Sequence, residues 1–297
     1  MNFRQISKTP QLIVLLTFIS LVSCKKSILS STGSNESNAA TLSDTSTSAE
    51  NAYYDVLNTA FVGVSDNSSV WSTNLIHPGQ TSTFSTEGNG LSHLGCAIYS
   101  IDDTIPGHYP KTMSLDFGAG CSSGDGIVRK GKITYLFTGS IFKPNSSITV
   151  TFSQYAVNGY GIQGAYQITN NSSIANGITF TTKVTNGIIT YPDASNFHYN
   201  HNRTYTMTAG ASTPSIISDD VYSISGNSSF SASDGSSLVS TITTPLVKAV
   251  SCHYVSAGVV SFVYDNAFNG TIDFGNGTCD NLATLKVGSI SRIITLR

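Results

Sequence analysis

The sequence predicts an all-β fold: an antiparallel meander of hairpins, sandwich-like or drawn out as one extended curved sheet, with a duplicated hairpin and one short N-terminal helix. Three observations predict it. Charged residues make up only 11% of the chain against 39% hydrophobic, and Ser, Thr, Asn and Gly take the place of the missing charge. Such a composition suits half-exposed sheet faces and turns. From about residue 95 onward, short runs rich in Val, Ile, Thr, Phe and Tyr alternate with turn dipeptides. No helical stretch separates those runs, which argues for consecutive hairpins and against βαβ units.

In chain order, residues 1–23 read as an export signal. Arg4 and Lys8 give a positive start, LIVLLTFISLV (12–22) is apolar, and Ser23 is small. The apolar run is too short to span a bilayer as a helix. Leu21-Val22-Ser23-Cys24 resembles the lipobox of bacterial lipoproteins, whose cysteine is acylated and becomes the new N-terminus. Cys24 is therefore the expected lipidation site, and the membrane the expected first partner. One acyl chain anchors only marginally, at about 0.8 kcal/mol per buried methylene, so the several chains of a lipoprotein cysteine are what hold it. The expected location is the outer membrane, lipid-anchored, facing either the periplasm or the cell surface. Losing Arg4 and Lys8 with the leader takes the formal charge from −2 to −4. No basic run follows Lys25-Lys26, so nucleic acid is not an expected partner.

Residues 24–48 read as the acylated cysteine and a disordered tether. The stretch 27–48 is almost wholly small and polar and lacks the apolar surface to offset the entropy of ordering. Residues 49–94 read as a helix and a lead-in segment. In AENAYYDVLNTAFV (49–62), Ser48 can cap, and Ala49, Ala52/Tyr53, Val56/Leu57 and Ala60/Phe61 recur at helical spacing. Residues 95–297 read as the β domain. ITVTFSQYAV (148–157), GITFTTKVT (177–185) and SSLVSTITTPLV (236–247) are expected strands. Asn158-Gly159, Asn186-Gly187, Asp234-Gly235 and Asn269-Gly270 are expected hairpin turns, because these dipeptides accept the positive φ of tight turns.

One substructure occurs twice. MSLDFGAGC (113–121) matches GTIDFGNGTC (270–279), and each is preceded by another cysteine at nearly the same spacing. The β domain is accordingly expected to have two similar halves, or two similar edges of one sheet. The midpoint between Cys96 and Cys121 is His108, beside Pro106-Gly107, and that between Cys252 and Cys279 is Asp265-Asn266. Both midpoints are turn residues, so each pair should face across neighbouring strands. Export adds an oxidising compartment. Cys96–Cys121 and Cys252–Cys279 are the expected disulfides, each contributing roughly 3 kcal/mol by loop closure. A crossed pairing such as Cys121–Cys279 remains a second arrangement. A four-thiolate zinc site is disfavoured, since no C-x-x-C pair is present.

PKTMSLDFGAGCSSGDGIVRKGKI (110–133), TTPLVKAVSC (243–252) and IDFGNGTCDNLATLKV (272–287) resemble blocks of a family of uncharacterised lipoproteins from Bacteroidetes-type bacteria. The resemblance implies an exported, lipid-anchored, β-rich protein and carries no assigned activity.

Catalytic signals are few. Asp116, Asp125, Asp273 and Asp280 flank glycine-rich loops and are weak calcium candidates, without the twelve-residue EF-hand pattern. His198 and His201 should point to opposite faces of a strand. Gly120-Cys121-Ser122-Ser123-Gly124 matches the pattern of a hydrolase nucleophile elbow but is followed by a β-prone run where a helix is needed. No cofactor is expected. The expected function is a lipid-anchored, non-catalytic binding or structural β body, with a glycan, envelope polymer or envelope protein as partner. The alternative is a polysaccharide-acting hydrolase using carboxylates from distant strands.

Overall fold

The structure, a computed structural model, describes residues 26–65, 94, 96–213 and 217–296. Among them, one antiparallel sheet has 14 strands. They are β1 (Ile98–Ile101), β2 (Lys111–Asp116), β3 (Cys121–Ser122), β4 (Val128–Phe137), β5 (Ser147–Val157), β6 (Tyr160–Asn170) and β7 (Thr179–Thr190). The second half of the chain adds β8 (Asn196–Ala209), β9 (Val221–Ala232), β10 (Ser237–Ala249), β11 (Ala257–Tyr264), β12 (Phe268–Asn276), β13 (Leu282–Val287) and β14 (Ile290–Thr295). Strand order follows chain order from β1 to β14, with only the two-residue β3 set aside on β4. The sheet is not closed, β1 and β14 being its edges. Of the two forms the sequence allows, the extended curved sheet is the one observed.

The sheet curls around a helix. α1 (Lys26–Ser65) is 40 residues long, and strands between β4 and β14 hold it. Tyr135 of β4 meets Thr59 at 2.5 Å, and the Tyr53 hydroxyl donates to the Gln163 carbonyl of β6 at 2.7 Å. The Tyr53 ring stacks on Tyr199 of β8 at 4.9 Å, and Phe61 meets Phe180 of β7 at 5.0 Å. Arg292 of β14 donates to the Ala40 carbonyl at 3.2 Å. Inward-facing Ile133, Tyr135, Phe137, Ile148, Val150, Tyr166 and Ile168 alternate along β4–β6 with exposed residues such as Thr149 and Thr151. Each large apolar side chain so buried contributes about 1.5–3 kcal/mol.

The expected tether is therefore corrected: 27–48 is helical and continues into the expected 49–62 helix, with no cap at Ser48. Ser43, Ser46, Thr47 and Ser48 are buried. Their composition does not forbid this, because the hydroxyls bond back to their own helix. Ser43 donates to Ala39 O, Ser46 to Ser43 O and Thr47 to Asp44 O at 2.7–2.8 Å, so burial orphans none of these three hydroxyls. Small side chains also let the strands come close.

A crease of glycine bulges across the strands lets a wide sheet bend this tightly. Gly131 on β4, Gly164 on β6, Gly226 on β9 and Gly258 on β11 all have positive φ, and each backs onto the main chain of a neighbouring strand. A Cβ on Gly131 would lie 2.2 Å from Gln154 O, and one on Gly258 2.5 Å from Pro245 O. Pro245 stands in the irregular stretch of β10, between Thr241 and Leu246, where no ladder donor is needed. Bulges strengthen local twist and coiling.

Two expected turns are corrected. Asn158-Gly159 and Asp234-Gly235 do join strands, β5 to β6 and β9 to β10, but Asn186-Gly187 lies inside β7 and Asn269-Gly270 inside β12. Asn186 spends its positive φ on a bulge. At Gly270 the Phe262 ring fills the place of a side chain, 2.1 Å from where a Cβ would be.

Cys96–Cys121 and Cys252–Cys279 are bonded as expected, with S–S distances of 2.08 and 2.13 Å. In both copies Asp-Phe-Gly makes the same turn: Asp116 accepts from Gly118 N–H at 2.9 Å and Asp273 from Gly275 N–H at 3.0 Å. The copies lie near the two ends of the strand order. Of the two arrangements the repeat allows, this is closer to two similar edges of one sheet.

Candidate functional site

Near its middle α1 presents a polar stripe. Ser48, Asn51, Tyr54/Asp55 and Asn58 recur at helical spacing and form one wall of an open cleft of about 270 Å³. The facing walls come from Asp125 and Ile127 before β4, from Asn158 and Tyr160 at the β5–β6 turn, and from Lys248 with the segment Val250–Tyr254 after β10. The disulfide from Cys252 to Cys279 ties that last segment to the end of β12.

The cleft floor is an ion cluster. Arg129 of β4 is fully buried and lies between Asp55, 4% exposed, and Asp125. Its Nε and Nη2 donate to the two Asp55 oxygens at 2.9 and 2.5 Å. Its Nη1 and Nη2 donate to the two Asp125 oxygens at 3.1 and 2.8 Å. The Tyr155 hydroxyl adds a bond to Asp55 at 3.0 Å. Burial opposes the guanidinium charge, but the Asp55 carboxylate outweighs it and the pKa of Arg129 is raised. The cation is permanent, and all four carboxylate oxygens accept from it.

A smaller chamber, about 60 Å³, adjoins the cleft, with Asn51, Tyr54 and Lys248 lining both. Its walls are largely apolar, Leu246, Ile272 and Phe274 among them, but Arg203 of β8 and Glu50 of α1 also line it. Arg203 Nη2 donates to Glu50 at 2.5 Å and to Ser228 at 3.0 Å. For Glu50, burial raises the pKa while Arg203 lowers it, and the net direction is down. Arg203 Nη1 is buried and has no hydrogen-bond partner among the described residues.

Lys248 is the cation of this region with no carboxylate of its own. Its ammonium donates to the carbonyls of Ala249 and Cys252 and sits 4.5 Å from the centre of the Tyr54 ring. Among the described residues it forms no ion pair. Burial pushes its pKa down to about 8, with only Asp55 pulling the other way. Below that pH the amine is charged in folded and unfolded chain alike, and the desolvation cost is fully present. Above it the folded chain sheds the proton first, so the cost is relieved. Unfolding free energy should therefore rise from about pH 8 towards 10.5 in the native protein, and the Lys248→Met variant should lack that rise. Denaturant titrations across this range check it; equal pH profiles would show a solvated amine.

The sequence candidates fare unevenly. Cys24 lies outside the described residues. Asp116, Asp273 and Asp280 cap turns by accepting from the N–H two residues on, and Asp125 does so while holding Arg129. Among the described residues no three His, Cys, Asp or Glu side chains are grouped to hold a metal, so the calcium candidates do not converge. His198 is exposed and His201 buried, on opposite faces of β8. Thr182 and Tyr199 hold the His201 ring at 2.9 and 3.1 Å, and burial pushes its pKa down to about 3, leaving it neutral. The residues that build the cleft floor and the chamber, Glu50, Asp55, Arg129, Arg203 and Lys248, were not singled out by the sequence reading.

Among the described residues, no helix is long and apolar enough to cross a membrane. No family model, curated protein or solved structure matches this chain.

Proposed function

We propose that this is a lipid-anchored envelope protein, of the Bacteroidetes-type lipoproteins its sequence blocks resemble, whose β body binds a glycan or other envelope polymer without transforming it. The observation that carries this reading is the lining of the 270 Å³ cleft: amides from Asn51, Asn58 and Asn158 beside the rings of Tyr54, Tyr160 and Tyr254. Amides offer the paired donors and acceptors that sugar hydroxyls need, and aromatic rings offer flat apolar surface to their C–H faces.

A hydrolase would also use this cleft, since Asp55 and Asp125 both line it. Glycoside cleavage requires one carboxyl to give up a proton and the other to attack or activate water. Here one buried guanidinium claims both oxygens of each. That clamp favours binding.

The test uses the full chain in detergent, with mass spectrometry of residue 24 to check for the lipid. On a glycan array we expect retention of a limited set of glycans. Asn51→Ala and Asn58→Ala should each weaken the best of them about tenfold, the worth of one good hydrogen bond. Turnover of the bound glycan, or retention unchanged in both variants, would overturn the reading.

A further inference from the structure

We propose that the glycan bound in the cleft carries a carboxylate, as a uronic acid does, and that this group enters the inner chamber between Lys248 and Arg203. The inference rests on the glycan reading and deepens it.

Charge is the first argument. The chamber is lined by two cations and one carboxylate, and that carboxylate, Glu50, is bonded to Arg203. One positive charge is left over. Among the described residues Lys248 bonds main-chain oxygens and a ring face but no carboxylate, and Asp55, whose field reaches it, is already clamped by Arg129.

An unused donor is the second. Arg203 is 3% exposed, and its Nη1 finds no acceptor among the described residues. A buried guanidinium N–H without a partner is costly, and an anion is what it is built to receive. The apolar walls raise both the cost of leaving these cations uncompensated and the strength of any ion pair formed there.

Shape is the third. The chamber, about 60 Å³, has room for a carboxylate or a pair of waters, whereas the cleft of about 270 Å³ has room for a sugar ring. They meet at Tyr54 and Lys248. A ring seated among the amides with its acidic group turned inward uses both.

Among the described residues no carboxylate is paired with the Lys248 charge. A buried amine lacking a carboxylate partner keeps its desolvation cost, which a bound anion would offset.

Calorimetric titration of the full chain with galacturonic and glucuronic acids, against galactose and glucose as neutral counterparts, tests this. We expect at least one acid to bind tenfold or more tighter than its neutral counterpart. Lys248→Met should abolish that preference, weakening the acid at least tenfold more than its neutral counterpart. Equal affinity for acid and neutral sugar overturns this inference while leaving the glycan reading intact. A preference that survives in Lys248→Met also overturns it. If no sugar binds, the reading beneath it falls as well.

Discussion

Replacing Asp55 by Ala is expected to lower the unfolding free energy by about 3–5 kcal/mol, because it leaves Arg129 charged inside the sheet with half of its partners gone. Arg129 is fully buried, and Asp55 receives two of its four carboxylate bonds. Asp125 cannot take over, since both its oxygens are already engaged by the same guanidinium. Domains have only about 5–15 kcal/mol in hand, so the loss is a large part of the total. Urea unfolding followed by circular dichroism measures it. The double variant Asp55→Ala/Arg129→Met should recover at least half of the loss, because it removes the stranded charge as well. A loss under about 1 kcal/mol in the single variant would mean that water reaches the guanidinium and the cleft floor is not dry.

Gly226→Ala should cost about 3 kcal/mol or more. The added Cβ would stand 2.1 Å from the Asn202 carbonyl oxygen and 3.0 Å from the Arg203 Cα, at a φ of +126°. Both obstacles are main chain, and Gly226 pairs directly with Arg203 in the β8–β9 ladder, so neither strand can withdraw without breaking pairing. Positive-φ strain and overpacking contribute about 1–3 kcal/mol each. Gly235→Ala is the control. It too has positive φ, +91°, but sits in the β9–β10 turn with nothing within 4 Å, so it should cost about 1 kcal/mol. Thermal unfolding of the two variants side by side decides it. Equal losses would mean that the crease is not tightly packed.

Much of the sheet was legible because its signals are local. Val, Ile, Thr and aromatic runs gave β5, β7 and β10 to within a few residues, and turn residues midway between cysteines gave both disulfides. Asn186-Gly187 misled because the same backbone freedom serves a hairpin turn and a bulge, and only the neighbouring strand decides which. The Ser/Thr-rich stretch of α1 misled because its burial depends on a surrounding sheet whose strands come later in the chain. The interior charges left a fainter signal. Arg203 falls on the same strand face as Tyr199, His201 and Tyr205, and Arg129 on that of Ile133, Tyr135 and Phe137. A cation at core-facing parity asks for a buried acid. That the acids are Glu50 and Asp55 follows only once the helix lies inside the curl.

The continuity of α1 bears on how the protein meets its surroundings. A slack leash would let the body roam around its attachment point and meet a polymer at any angle. With the proposed lipid on residue 24, a helix present from Lys26 onward would act instead as a stiff mast. At 1.5 Å per residue, Asp55 rides about 45 Å along it. The cleft would then open at a set height, its bearing changing only as the mast leans, so chains running through the envelope at that level would be met and those closer to the lipid passed over.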